Sequence, residues 1–192
     1  MTRRIARFLL ALPILLAGCT TEAINKDAKT TFLDSTDLVT MTDQMAHSIV
    51  ADPQVAGVIA QKPMIIVMKP IINETNEIIR KGVKELYVHR VRVQLSGHPM
   101  LRDKFVFVLN QADYDKLRSE EGLNPGELGP TDTRVQPEYA LTGTFYVNTN
   151  VSTQRRSDTY LCTFRLTNLA TGLELWEGKY ETSKHIKKEF LD

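Results

Sequence analysis

From Tyr139 to Tyr180 the chain alternates apolar and polar residues with a period of two, the pattern of half-buried strands that share one wet face. Tyr139, Leu141, Phe145 and Val147 alternate with Ala140, Thr142, Thr144 and Asn148 in the first segment. In the second, Tyr160, Cys162, Phe164 and Leu166 fall on one face and Thr159, Thr163, Arg165 and Thr167 on the other, with Leu161 as the exception. The third segment is marked by Trp176. Between the second and third, Asn168-Leu169-Ala170-Thr171-Gly172 is a short loop in which Gly172 can take the positive φ that closes a hairpin. The expectation is a three-strand antiparallel meander.

The N-terminus carries a different signal. Basic Met1 to Arg7 precedes an apolar run, Phe8 to Leu16, and then Leu16-Ala17-Gly18-Cys19. This is the layout of an export signal. The run is well short of the roughly 20 residues a spanning helix needs, and it contains Pro13, so a transmembrane anchor is the weaker alternative. Small residues ahead of a cysteine resemble the lipobox of bacterial lipoproteins. That resemblance implies cleavage after Gly18, a diacylglycerol on Cys19, and a further acyl chain such as palmitate on the freed amine. Two or more acyl chains anchor stably where one is marginal. Thr20 in place of Asp after the cysteine implies, by resemblance to lipoprotein sorting, an outer-membrane protein facing the periplasm. With Cys19 acylated, Cys162 has no intramolecular disulfide partner, and its apolar strand face makes it a core residue rather than a nucleophile.

Composition bounds the rest. At 192 residues, 42% hydrophobic and 24% charged, the chain suits one domain with one core. A net charge of +1 gives no global attraction to nucleic acid. Residues 1–18 read as signal peptide, 19–34 as lipidated N-terminus and tether, 35–183 as a single globular domain and 184–192 as a basic tail. The tether reaches at most about 50 Å fully extended and about 20 Å as a coil.

Within the domain, Leu38, Met41, Met45 and Ile49 at helical spacing after Ser35 or Thr36 predict a helix to about Ala51. Asp52 as cap and Pro53 as first residue start a second, to about Ala60. Met64 to Met68 reads as a buried strand and Pro70 to Glu77 as a polar loop. Val83 to Leu95 fits both periods, and its length with Gly97 and Pro99 beyond it favours a helix. Phe105 to Val108 is a strand, Asn110 caps a helix that Gly122 ends, and Leu123 to Pro137 is a loop. The fold class is therefore α/β in the α+β sense: a sandwich of helices on a mostly antiparallel sheet.

Constellations that carry catalysis are missing from the sequence. His47, His89, His98 and His185 have no metal-ligand spacing, and there is no phosphate loop, nucleophile elbow or CxxC pair. The carboxylate pairs Asp113/Asp115 and Glu120/Glu121 read as a solvated helix face. The expectation is no catalytic residue, no metal, no cofactor and no small-molecule substrate, hence action by contact. Tyr146, Asn148, Arg155, Arg156 and Arg165, on and around the polar connection from Asn148 to Arg156, are the candidate contact residues, because Tyr and Arg are enriched in interface hot spots. The alternative is a solvated hairpin tip.

Several segments, in this order behind a lipobox, resemble the LpoB family of penicillin-binding protein activators. They are Pro70 to Thr75, Phe105 to Val108, Gln111 to Glu121, Tyr139 to Gly143 and Leu169 to Glu177. The resemblance covers about Pro63 to Glu181. It implies a fold similar to the N-terminal domain of TolB, an outer-membrane anchor, and binding to a class A penicillin-binding protein that raises its glycosyltransferase and transpeptidase activities. Enteric members carry a long disordered linker where this tether is short. A second function class is an export or structural component of an outer-membrane assembly, similar to the CsgG-type curli secretion channel, which a stable homo-oligomer would favour.

Overall fold

A computed structural model of the chain describes residues 32–122, 135–153 and 155–187. The signal segment with Gly18 and Cys19, most of the tether, residues 123–134 of the expected loop and residues 188–192 lie outside the described residues.

The first helix, α1 (Ser35–Ala51), is capped by Asp34 rather than by Ser35 or Thr36. Asp34 Oδ1 accepts from the amides of Thr36 and Asp37 at 2.8 and 3.0 Å, and Asp37 Oδ2 accepts from the Asp34 amide at 2.8 Å. A carboxylate is the stronger acceptor beside the helix N-terminus, and the reciprocal bonds satisfy donors that a hydroxyl would leave to water. Asp52 caps α2 (Pro53–Gln61) as its sequence predicts. Met41, Met45 and Ile49 are fully buried, so the methionine stripe is core.

Strand β1 (Met64–Met68) falls where expected, and helix α3 (Lys81–Gly97) settles the ambiguous run. Tyr87, Val91 and Leu95 are buried on one helical stripe, whereas Val93, which a strand would place beside Val91 and Leu95, is 64% exposed. Strand β3 (Phe105–Val108) and helix α4 (Gln111–Glu120), capped by Asn110, complete the first half. Within the expected polar loop lies an unforeseen strand, β2 (Ile72–Glu74). Its three residues are too few to show a period, and it exists because the first strand of the meander runs on past β1 and leaves Thr144 to Tyr146 to be paired.

The meander is β4 (Tyr139–Val151), β5 (Arg155–Asn168) and β6 (Glu174–Lys187). Gly172 has φ of +72°, the left-handed turn residue that the β5–β6 hairpin needs. The last strand continues through Lys187, so the expected basic tail from residue 184 begins within β6 instead. The inward alternation of Tyr180, Thr182 and Lys184 is what extends it.

All the strands join one mixed sheet in the order β3-β1-β4-β5-β6, with β2 beside β4. β4/β5 and β5/β6 are antiparallel along nearly their whole lengths, while β1/β3, β1/β4 and β2/β4 are short parallel pairings. The helical crossover through α3 returns the chain in the same direction, and the short turns of the meander reverse it. The fold is α+β, with the core on one side of the sheet. Phe105, Leu141, Phe145, Tyr160, Cys162, Phe164 and Leu166 pack under Met41, Met45, Ile49, Tyr87 and Leu95. Tyr87 meets Phe145 edge-on with ring centroids 5.0 Å apart. Burial pushes the Cys162 thiol well above its ordinary range, as suits a core position. Gly178 makes room for the indole of Trp176 and for Met45, whose Sδ would lie 2.8 Å from an added Cβ.

Candidate partner-binding face

The period-2 geometry of the long strands distributes the candidate contact residues. In β4, Tyr146 and Asn148 point away from the core, and the register places Tyr146 opposite Leu161 and Asn148 opposite Thr159. Arg165, opposite Thr142 and Glu177, is on the same outer face. Among the described residues, none of the buried members of the hydrophobic core cluster comes from this outer face, although Leu175 beside the irregular start of β6 packs against the cluster. Tyr146 is 39% exposed and Asn148 is exposed. Arg165 is held in place by two carboxylates of β6, with Nε 2.9 Å from Glu177 Oε1 and Nη1 3.6 Å from Glu174 Oε1. The bond to Glu177, followed by the fields of Glu174 and Glu177, raises its pKa, so it stays a fixed cation. Thr163, between Leu161 and Arg165 on this face, is 8% exposed, and its Oγ1 has no hydrogen-bond partner among the described residues.

Arg155 and Arg156 part company. Arg155 opens β5, is exposed, and has the parity of the outer face, with its backbone tied to Ser152 across the hairpin end. Arg156 has the parity of the helix side. Its Nε and Nη2 both lie 2.9 Å from Oδ2 of Asp158, a fully buried carboxylate. The five candidates therefore do not form one face, because neighbours on a strand cannot share one. Tyr146, Asn148 and Arg165 share the outer face, with Arg165 opposite Thr142 and so further along the sheet than the neighbouring Tyr146 and Asn148; Arg155 stands at the hairpin end, and Arg156 pairs with buried Asp158.

That ion pair borders a polar system that the apolar periodicity does not signal. The Tyr160 hydroxyl donates to Glu77 Oε1, and Glu77 lies in the loop after β2, where the Asn73 side chain donates to the Glu77 carbonyl at 2.8 Å and accepts from the Thr75 hydroxyl. Burial raises the Glu77 carboxyl above its usual range despite the bond from Tyr160, and nearby Asp158 adds to the rise. Glu77 and Arg156 line a cavity of about 710 Å³, with Phe32, Ile78, Arg80 and Val83 among its other walls. Deeper in, Lys184 is fully buried and donates to the Phe32 carbonyl at 2.7 Å, to Asp34 Oδ2 at 2.9 Å and to Asp37. The Tyr180 hydroxyl donates to Asp37 Oδ1 at 3.3 Å, and its pKa is pushed up to about 12, first by burial and then by the Asp37 charge. The one legible signal for this network was the inward parity of Asp158 and Lys184.

Among the described residues no cluster of His, Cys, Asp and Glu could hold a metal ion, and no helix is long and apolar enough to cross a membrane. Among the described residues, the outer face offers hydroxyl groups, the Tyr146 ring and the fixed Arg165 cation, which suits recognition.

Comparison with known proteins gives a family match over residues 37–182, to the family described as peptidoglycan-synthase activator LpoB. No curated protein matches the chain. Among solved structures, the LpoB C-terminal domain from Salmonella enterica is 17% identical with a TM-score of 0.41, covering 73% of this chain and 93% of that one. The LpoB C-terminal domain from Escherichia coli is 16% identical with a TM-score of 0.39, covering 71% and 96%. Lipoprotein GNA1162 from Neisseria meningitidis is 16% identical with a TM-score of 0.36, covering 66% and 85%. The family match starts in α1 and ends in β6, so it spans every element of the fold.

Proposed function

The chain belongs to the LpoB family of peptidoglycan-synthase activators, and from that premise we propose that it is an outer-membrane lipoprotein that faces the periplasm and stimulates a class A penicillin-binding protein. The observation that carries this reading is the family match across the whole fold, from α1 to β6. The family is one of activators, in keeping with action by contact rather than catalysis. Cys19 is the acylated residue, freed by cleavage after Gly18, and the tether holds the domain near its membrane.

The contact is made by the outer face of β4–β6. Tyr146 supplies a rigid amphipathic ring, Asn148 a donor and acceptor beside it, and Arg165 a cation whose orientation is already fixed by Glu177, so little side-chain entropy is lost on docking. Arg155 flanks this patch at the hairpin end, and Arg156 supports the hairpin from the other side of the sheet. Stimulation follows if this face fits the active conformation of the synthase better than the inactive one, by about 1–3 kcal/mol for a typical coupling.

The test is glycan polymerisation by the cognate synthase with and without the purified full-length lipoprotein. The wild-type chain raises the rate, and Tyr146→Ala combined with Arg165→Gln removes the rise in a variant that still unfolds in one cooperative melt. A synthase rate indifferent to the wild-type chain refutes the activator reading. Stimulation that survives the double variant refutes only the face.

A further inference from the structure

The end of the domain where the described chain begins, at Phe32, collects exposed apolar side chains and cations that the core does not use. Ile78 is 99% exposed, Phe32 51% and Val83 44%, and all three border the same cavity as Arg80. An isoleucine wholly in water gains nothing from the fold, and its apolar area is available to a second surface. Arg80 and Lys84 stand at the start of α3, where neither pairs with a carboxylate among the described residues. Of the acidic groups at this end, Glu77 turns inward to the Tyr160 hydroxyl, Asp158 lies buried beneath Arg156, and Glu85 pairs with Lys81 at 3.5 Å. Glu74 is the exposed exception. Asp34 and Asp37 share the buried Lys184, so Arg80 and Lys84 are the two cations beside the apolar tip with no carboxylate partner among the described residues.

The path of the chain says what this tip meets. Lys184 clamps the Phe32 carbonyl and Asp34, so the point of entry is fixed to the sheet rather than hinged. Thirteen residue steps separate Phe32 from Cys19, a reach of at most about 45 Å. The anchor therefore keeps this end within about 45 Å of the lipid, nearer on average than the ends of the domain that the tether does not join. Exposed aliphatic side chains flanked by Lys and Arg are the pattern of a surface that lies in the headgroup layer.

We propose that this end of the domain seats on an anionic phospholipid surface, with Ile78 and Phe32 at the acyl boundary and Arg80 and Lys84 against headgroup phosphates. It rests on the lipid anchor of the proposed function. Seating turns the outer face of β4–β6 to a fixed angle with the membrane, so that the synthase meets an oriented patch rather than a tumbling one.

The experiment uses the lipid-anchored full-length chain in nanodiscs of phosphatidylethanolamine and phosphatidylglycerol, or of phosphatidylcholine alone, with brominated acyl chains as quencher. Trp176, the single native tryptophan, is 4% exposed, so the unmodified chain gives the background. Ile78→Trp places a reporter at a site that no packing constrains. The expected result is at least twofold quenching of that reporter in discs with phosphatidylglycerol, little in phosphatidylcholine, and slowed amide exchange over residues 78–84 in the wild-type chain. Arg80→Glu with Lys84→Glu lowers the ratio of seated to lifted domain at least roughly thirty-fold, from the usual contribution of two cations near an anionic membrane. Equal quenching in both lipids, or none in either, overturns the proposal, as does shielding that appears only when the synthase is added. A chain that does not co-isolate with the discs at all overturns the anchor together with the seating, whereas a co-isolating, unquenched chain that still stimulates the synthase overturns the seating alone.

Discussion

Lys184 of β6 holds the Asp34 carboxylate at 2.9 Å, joining the first and last elements of the domain across 150 residues of chain. Asp37 and the Phe32 carbonyl complete the site, so a fully buried ammonium has an acceptor for each proton. The cap of α1 and the end of β6 are one structure.

Removing that ammonium strands two carboxylates at the edge of the core. Lys184→Met is expected to lose about 3–5 kcal/mol, the usual penalty for breaking a buried pair from one side. Urea unfolding measures it, and the triple variant with Asp34→Asn and Asp37→Asn recovers a good part of the loss. A Lys184→Met midpoint equal to wild type contradicts the assignment.

Glu77 sets a pH dependence of definite sign. Burial raises its carboxyl in the folded state, against the Tyr160 hydrogen bond and the fields of Arg156 and Lys184, and with that of Asp158. The native state then binds the proton more tightly than the unfolded chain, so this contribution to stability is complete below the ordinary carboxylate range and is lost as pH rises through the raised value. Asp34 acts oppositely. Although burial alone would raise it, Lys184 and the amides of Asp37 and Thr36 hold it below the usual range, and its contribution is lost as pH falls through its depressed value. Thermal melts of Glu77→Gln should show a flatter limb above pH ~4 with the acid limb kept. A wild-type slope in that variant rules the role out.

Adjacent arginines should behave as different residues. Arg156→Ala takes the guanidinium away from the buried Asp158 carboxylate and lowers the melting temperature, while Arg155→Ala leaves the melt unchanged. Differential scanning fluorimetry of the two variants is sufficient, and equal melts would mean that the Arg156 pair contributes nothing.

Gly178→Ala tests the packing under α1. Its new Cβ would lie 2.8 Å from both Met45 Sδ and Trp176 Cη2, so an overpacking cost of about 1–3 kcal/mol is expected. Trp176 fluorescence reports the shift directly, and a variant as stable as wild type would show that Met45 moves aside freely.

The sequence alone determined what depends on neighbours within one or two turns of chain. Helical and alternating patterns located α1, α2, α3, β1, β3 and the meander, and glycine and cap chemistry located the β5–β6 turn and the starts of α2 and α4. Those same alternations identified Asn148 and Arg165 as residues of a wet face. Only the tertiary structure decided the rest. β2 forms because β4 overshoots β1, and Arg156 is taken from the contact surface because strand parity turns it toward Asp158. Lys184 belongs to the core because two aspartates at the far end of the domain come to meet it. Periodicity and capping are short-range forces written into local sequence, whereas the pairing of charges and strand edges far apart in the chain exists only after the sheet has closed around a single core.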